Sequence, residues 1–480
     1  MALVVQPRGD DPIRCPEVFV SFDQPGSIHR TALLFFGKDV PSPEEAEATL
    51  RRLVLQVHVG RGACSGRSGT AALATLVNAG RRAFLGGVNV VIDDDVEFHH
   101  GWAEGRRLSE LVEELGGTLV DALDPSHPTL TLGHPVEPVG LIVLHPTWHG
   151  WTAGVVQNPD DRRDDHGLEI ASIAAAALGV SEAFQFLTGP PGPGRRDVGV
   201  SLWNPEVEWR SDEAVGPMLS RLPSSLWLLG LGHLGQGYAW SIGWLSYADP
   251  AAVLVALVDD DVVEGGNDAT GMLLRPSDEG SLKTRVVARE LERVGIRTRI
   301  VERRFDDQFA VQDREPVLAL AGFDKPEPRQ LLGGRFKRVV DGGLGTSGRE
   351  YLSISVHTFP STLDPAVVFR PSGASTGALT EEHEAVIKGL IAQGFPEGTA
   401  RCGVTAVAGI AIAAAFVGTF AGTLVLADVL RSLHQGPDLC AVRCDLRTPT
   451  DLRSAPNTAP GPPVNPGFTA CAETSEADRF

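Results

Sequence analysis

Apolar residues recur along this chain in two rhythms. Short apolar runs of strand length end in glycine turns or acidic clusters. Longer stretches between them space their apolar residues as one face of a helix. The clearest series starts at Leu226, where an apolar run enters LLGLGHLGQGYAW. The run LVALV follows and ends in DDD, then SLKTRVVARELERVG shows helical spacing. Strand, turn, helix, strand, helix is the order of a parallel α/β unit.

The same order occurs earlier. LVLQVHV leads into GRGACSGRSG, with Gly60, Gly62 and Gly66, and a helical pattern extends to Ala79. GGVNVVIDDD ends in Asp93, Asp94 and Asp95, and RRLSELVEELGGTLV is an amphipathic helix entering another strand. Each half also holds an Ala-rich apolar stretch that predicts a buried helix. The chain therefore reads as α/β with two Rossmann-like units. Residues 1–50 form a partly extended lead-in, 51–215 the first unit, 216–450 the second, and 451–480 a Pro/Gly-rich tail, draped or poorly ordered. The stretch Val404–Leu430, broken by Gly409, Gly418 and Gly422, predicts a buried helix pair and no membrane span. Trp203, Trp209, Trp227, Trp240 and Trp244 are expected at the join between the units.

Candidate chemistry gathers in the second unit. Gly230, Gly232 and Gly235 give G-x-G-x-x-G directly after a strand, a turn whose backbone N–H groups approach phosphate oxygens. Asp259 ends the next strand, where a ribose hydroxyl is held in such folds. Asp261, Asn267 and Lys283 follow. Lys283 starts a helix, where the macrodipole disfavours a cation, so an anionic partner is expected there. The first unit has no Asn or Lys matching Asn267 and Lys283, and its segment after DDD is shorter. It is read as a degenerate structural copy.

Composition narrows the classes. The formal net charge of −19 argues against binding nucleic acid by phosphate neutralisation. Lysine is scarce among the 42 basic residues, which makes Lys283 notable. Six cysteines in 480 residues are too sparse for a disulfide framework. MALVVQPRGDD lacks an apolar signal region, so a cytoplasmic location without a membrane partner is expected.

With these residues in place, Leu226–Gly436 resembles the ThiF/MoeB family, which includes ubiquitin-activating enzymes. LVDDDVVEGGN supplies Asp259, Asp261 and Asn267, GSLKTRVVAREL supplies Lys283, and LALAGFDKPEPRQLL supplies Asp324. The tandem of a degenerate and an active ThiF-type unit resembles ubiquitin-activating enzymes too. The resemblance implies ATP- and Mg²⁺-dependent adenylation of a carboxylate, the C-terminus of a ubiquitin-like protein or a peptide. It implies that Gly230, Gly232 and Gly235 admit the nucleotide, Asp259 holds ribose, Asn267 and Lys283 contact phosphates, and Asp324 binds Mg²⁺. Cys402 is the candidate thioester nucleophile, expected to gain thiolate character at a helix start.

The chain departs from the family pattern at four points. Thr270 stands where the family has a phosphate-contacting Arg, and Gly271 replaces Gln. Lys325 replaces an Asn, and the zinc-binding Cys-x-x-Cys pairs are missing. Arg275 or an arginine of the first half is the expected substitute at Thr270. Two other readings stay open: a nucleotide- or protein-binding module without turnover, and a nicotinamide-dependent oxidoreductase. The latter leaves Asn267, Lys283 and Asp324 without a task. The chain is expected either as a monomer with pseudo-dimeric halves or as a homodimer.

Overall fold

The computed structural model describes residues 25–472 except 38, 41, 136, 164–167, 371–378, 380, 393–395 and 460–463. Residues 1–24 and 473–480, and parts of the expected 360–400 loop, lie outside the described residues.

Two sheets form the frame. The first contains β1 (Val54–Val59), β2 (Gly87–Ile92), β3 (Thr118–Leu119), β4 (Thr129–Leu132), β5 (Val143–His149), β6 (Thr152–Val156) and β7 (Val198–Ser201). Its order is β3-β2-β1-β4-β5-β6-β7. A short β8 (Arg221–Pro223) precedes the second sheet. That sheet contains β9 (Ser225–Leu229), β10 (Leu254–Val258), β11 (Arg297–Val301), β12 (Leu318–Ala321), β13 (Arg338–Leu344), β14 (Ser353–Phe359), β15 (Leu439–Asp445) and β16 (Arg453–Pro456). Its order is β11-β10-β9-β12-β13-β14-β15-β16. In both sheets the first five strands run parallel and the rest antiparallel. Each sheet reverses strand order beside its first strand, where α/β folds open a crevice for ligands.

Helices fill the space between the sheets. Arg67–Ala83 and Glu169–Thr188 from the first half pack with Ala415–Leu433 from the second, which packs on His233–Trp244. Glu169–Thr188 and Ala415–Leu433 are long and apolar enough to cross a membrane, and both are mostly buried inside the protein. A helix apolar all round needs such a site. Gly237 and Gly422 let the last pair touch backbone to backbone, since a Cβ on Gly422 would lie 2.7 Å from the Gly237 carbonyl.

Expectations hold in some places and change in others. The described lead-in mixes extended residues at Phe36 and Ser42 with helical turns. It forms 3-10 turns at Pro25–Ser27 and Ala32–Phe35, then the helix Pro43–Leu50, capped by Ser42 Oγ on the Glu45 N–H at 3.2 Å. Pro at the first helical position and two glutamates in the first turn favour that start. The described tail is ordered by pairing: β16 extends the second sheet, and β17 (Phe468–Ala470) pairs with β8. Among the tryptophans, Trp240 and Trp244 do meet Trp102 across the halves, at 5.0 and 5.7 Å between ring centroids. Trp227 instead joins Phe309 and Phe336 on the outer face of the second sheet, and Trp209 packs on Gly154 and Gly199 within the first half.

Candidate functional site

The glycine turn leaves β9 and reaches the His233–Trp244 helix within three residues. Gly230 has φ +80°, and a Cβ there would sit 3.1 Å from the Phe323 ring and 3.2 Å from the Gly322 carbonyl oxygen. Gly232 is the opposite case, with nothing within 4 Å of an added Cβ. The strand-end acid ties this turn down. Asp259 accepts from the Leu231 N–H at 2.6 Å and from the Asp261 N–H at 2.8 Å. Burial raises the Asp259 carboxyl above its ordinary range, against the pull of the Leu231 N–H and Lys283.

A cavity of about 650 Å³ opens over the turn. It brings together Gly230, Gly232, Asp259, Asp261, Asn267, Lys283 and Asp324, which are spread over nearly a hundred residues of sequence. Lys283 Nζ lies 2.9 Å from Asp261 Oδ2, and the Lys283 N–H donates to the Asp261 carbonyl at 3.0 Å. The Asn267 carbonyl oxygen Oδ1 accepts from the Glu264 N–H at 3.1 Å, and its Nδ2 makes no hydrogen bond among the described residues.

Asp324 lies just beyond β12 on the cavity wall, exposed, with no ion pair or hydrogen bond among the described residues. The carboxylates of Asp259, Asp260 and Asp261 also crowd within 4.8 Å. Those three are answered by protein groups: backbone N–H bonds on Asp259, Arg304 on Asp260 at 3.3 Å and Lys283 on Asp261. Among the described residues Asp324 is therefore left free to meet a hard cation, as are Asp307 and Glu327 on the same lining, and oxygen-only donors suit Mg²⁺.

Other expected site residues are placed elsewhere. Gly235 does not line the cavity. It sits under the turn, where a Cβ would collide with the Gly230 carbonyl, so it serves helix–turn packing. Cys402 lies on the second turn of the helix Glu397–Ala408, exposed and outside the cavity lining. It is the sixth residue of that helix and does not stand at the helix start. Arg275 is turned away and pairs with Glu114 at 2.9 Å.

One cation on the same cavity lining as Thr270 is a residue the sequence did not single out. Arg30, from the turn after Pro25–Ser27, lines the cavity with Thr270 and Asn267 and has no hydrogen bond or ion pair among the described residues. It comes from the lead-in, in the first half of the chain, and not from Arg275. Its neighbour His233 is held neutral by burial, with Arg30 adding to the effect, and its pKa falls to about 4. His233 Nε2 accepts from the Gly418 N–H at 3.2 Å, which pins one helix start to another. Arg303, Arg304 and Arg329 also line the cavity. Arg329 stacks 4.1 Å over the Phe369 ring and pairs with buried Asp341 at 3.1 Å. Burial pushes the Asp341 carboxyl up to about 6 despite Arg329.

The first half's turn is covered more tightly at its first glycine, although an added Cβ on Gly62, like one on Gly232, would meet nothing within 4 Å. A Cβ on Gly60 would lie 2.7 Å from the Pro135 nitrogen and 2.8 Å from the His134 carbonyl carbon. The Gly62 N–H is already directed to Asp94 at 3.3 Å.

Known proteins match both halves. A family model described as the BilD N-terminal domain matches residues 54–202, and one described as the BilD C-terminal domain matches residues 222–436. A curated relative, the bacterial E1-like protein BilD of Collimonas sp. (strain OK412), is 32% identical over 452 residues, 92% of this chain and 96% of that protein. Looser likenesses occur among solved structures. E. coli MccB with ATP gives a TM-score of 0.29 at 17% identity, over 49% of this chain and 64% of that one. E. coli MccB with AMPCPP and MccA gives 0.30 at 17% identity, over 52% and 67%. Likenesses of that size carry neither a ligand nor an activity across.

Proposed function

The chain belongs to the BilD family of bacterial E1-like proteins, and from that premise we propose that its cavity binds ATP and adenylates a carboxylate. The acceptor proposed is the C-terminus of a ubiquitin-like protein or peptide. One observation carries the reading: an open glycine turn, the strand-end acid Asp259, the Asn267 amide, Lys283, Arg30 and the unpaired carboxylate of Asp324 line a single cavity.

In this reading the open face of Gly232 and the start of the His233–Trp244 helix receive phosphate oxygens. Asp259, already anchoring the turn, takes a ribose hydroxyl. Asn267 Nδ2, Lys283 and Arg30 converge on the phosphates, and Lys283 exchanges its exposed partner Asp261 for them. Asp324 would hold Mg²⁺, which supplies charge neutralisation on the phosphates when bound. The acceptor carboxylate oxygen attacks the α-phosphorus. The new bond is acyl oxygen to α-phosphorus, the bond to the β-bridging oxygen breaks, and pyrophosphate leaves. Two anions must approach each other in this step, so the cations at the site act where charge builds. Cys402, outside the cavity, has no part in it.

The test is ATP–pyrophosphate exchange in the presence of a peptide carboxylate. Lys283→Ala is expected to remove exchange to background, and Arg30→Ala to reduce it about 10–150-fold, the worth of a charge-assisted hydrogen bond of about 1.5–3 kcal/mol. A wild-type protein that does not bind ATP·Mg²⁺ sinks the reading. Thr270, buried where the family pattern has a cation, favours a second one: nucleotide binding without turnover. ATP affinity with no exchange on any carboxylate would select it.

A further inference from the structure

The segment that carries Asn267 and Thr270 to the cavity has little structure of its own. Beyond the 3-10 turn Gly265–Ala269, the second half holds it through the Leu274 N–H on the Gly271 carbonyl at 3.1 Å and the Leu273 N–H on Gln236 Oε1 at 3.1 Å, while the Met272 and Leu274 carbonyls take no donor from the second half among the described residues. The donors come from the first half. Arg82 Nη2 donates to the Gly271 carbonyl at 2.7 Å and the Leu274 carbonyl at 2.9 Å, and approaches Asp268 Oδ1 at 3.3 Å. Arg81 grips both Asp268 oxygens at 3.0 and 3.1 Å. Asn78 Nδ2 donates to the Met272 carbonyl at 2.8 Å.

These three side chains share one face of the Arg67–Ala83 helix, at spacings of three and four. Arg82 is only 1% exposed. A guanidinium so buried is costly unless its donors are answered, and here Nη2 meets the carboxylate and carbonyls of the other half while Nη1 donates to Asn78 on its own helix. Burial alone would raise the Asp268 carboxyl, and Arg82 and Arg81 overcome it and hold it low. On its other side the same segment meets the lead-in, where a Cβ on Gly266 would strike the Gly26 and Ile28 carbonyl oxygens. The loop is thus gripped between the helix of one half and the turn that presents Arg30.

We infer that Asn78, Arg81 and Arg82 are positioning residues for the nucleotide site, through which the first half, its own turn shut, fixes the Asn267–Thr270 loop of the second. The inference rests on the proposed function only in taking ATP as the ligand that the loop meets. A loop ordered in advance spares ATP the entropy of ordering it, so the effect falls on affinity rather than on the chemical step.

The experiment uses the full chain with Arg81→Gln, Arg82→Lys and Arg82→Met. It measures amide hydrogen exchange at residues 264–274 without nucleotide, ATP·Mg²⁺ affinity by calorimetry, and KM for ATP and kcat in pyrophosphate exchange. Faster amide exchange confined to 264–274 is expected, with ATP affinity weakened and KM raised about tenfold and kcat held within about twofold. Arg82→Lys is expected not to rescue, because one ammonium cannot span the acceptors that the planar guanidinium spans. Arg81 lies at the rim, so Arg81→Gln decides the matter if Arg82→Met does not fold. Folded variants with wild-type loop protection and wild-type ATP affinity overturn the inference. A wild-type chain that ignores ATP but whose loop loosens in Arg81→Gln sinks the adenylation reading and leaves the grip standing.

Discussion

The two halves use one strand order and reach opposite results at the end of the first strand. Register places Val59 of β1 beside Ile92 and Leu132, and Leu229 of β9 beside Val258 and Ala321. Gly60 and Gly62 therefore correspond to Gly230 and Gly232, and Asp93 to Asp259. On the same count Pro135 stands where the second half has Asp324, and Pro146 where it has Asp341. Each difference closes the first half. Pro135 has no carboxylate for a cation, and its nitrogen sits over Gly60. Asp93 turns from the glycine loop to His58 at 3.0 Å, whereas Asp259 holds the Leu231 N–H. What survives is scaffold: Asp95 pairs with Arg107 at a helix start as Asp261 pairs with Lys283. A fold can keep its strand order and its strand-end acids and still lose its crevice, because the crevice depends on the loop after the fourth strand.

The sharpest way to break this comparison is one methyl group on each turn. Gly232→Ala meets no protein atom, but its φ of −76° and ψ of −147° lie outside the wells alanine favours, so stability should fall by about 1 kcal/mol, less than a backbone clash costs. The methyl would occupy space proposed for phosphate, and ATP affinity should fall by tenfold or more, on the order of the backbone–phosphate contacts it blocks. Gly60→Ala should do the reverse. Its methyl meets backbone at 2.7 Å, so stability should drop by about 1–3 kcal/mol, while the folded fraction binds ATP as wild type does. Calorimetric titration beside a thermal melt reads both. If Gly60→Ala weakens ATP binding and Gly232→Ala does not, the assignment of the two turns is reversed.

How much of this could be read beforehand follows from how local each signal is. The apolar runs, the G-x-G-x-x-G turn, the DDD strand end and the Lys283 helix start are neighbours in sequence, and backbone periodicity alone places them in an α/β fold with parallel strands. Asn267 and Asp324 needed the family pattern as well, since neither position is forced by periodicity. Arg30 left no such trace. It reaches the cavity only because the Pro25–Ser27 turn packs on the loop at Gly265–Ala269, far along the chain. Arg82 looked like an ordinary basic residue in the last turn of a helix, where the dipole welcomes one, so nothing local marked it as the pin between halves. Gly235 and Cys402 show the converse. Their motifs were legible, but packing put one beneath the turn and the other on an exposed helix face.

A smaller effect separates the halves by pH. Asp341 is buried with Arg329 in the second half, and proline takes its place in the first. Burial lifts this carboxyl to about 6 in the folded chain, above its ordinary 3.8. Between those values the folded state holds more protons than the unfolded one, so this group's contribution to stability falls as pH rises from about 4 to about 6 and levels off above. The stability of wild type minus that of Asp341→Asn should decline across that window. A difference that is flat or rises there refutes the assignment.

The smallest expected effect concerns two cysteines. Cys64 follows the closed turn, fully packed, with its thiol pushed up by burial and by Asp94. Cys402 belongs to the open half and is exposed, so a thiol reagent added to the folded chain should label it well before Cys64. Yet Cys402 lies outside the cavity, and the proposed adenylation asks nothing of it. Surface substitutions away from a site usually stay within about 0.5 kcal/mol, so Cys402→Ala should keep pyrophosphate exchange within about twofold of wild type. The same variant assayed for a reductant-sensitive adduct with the acceptor would show whether the thiol acts after adenylation. Loss of exchange itself in Cys402→Ala would mean that the helix Glu397–Ala408 closes over the cavity during the first step, and the boundary drawn here between cavity and cysteine would be wrong.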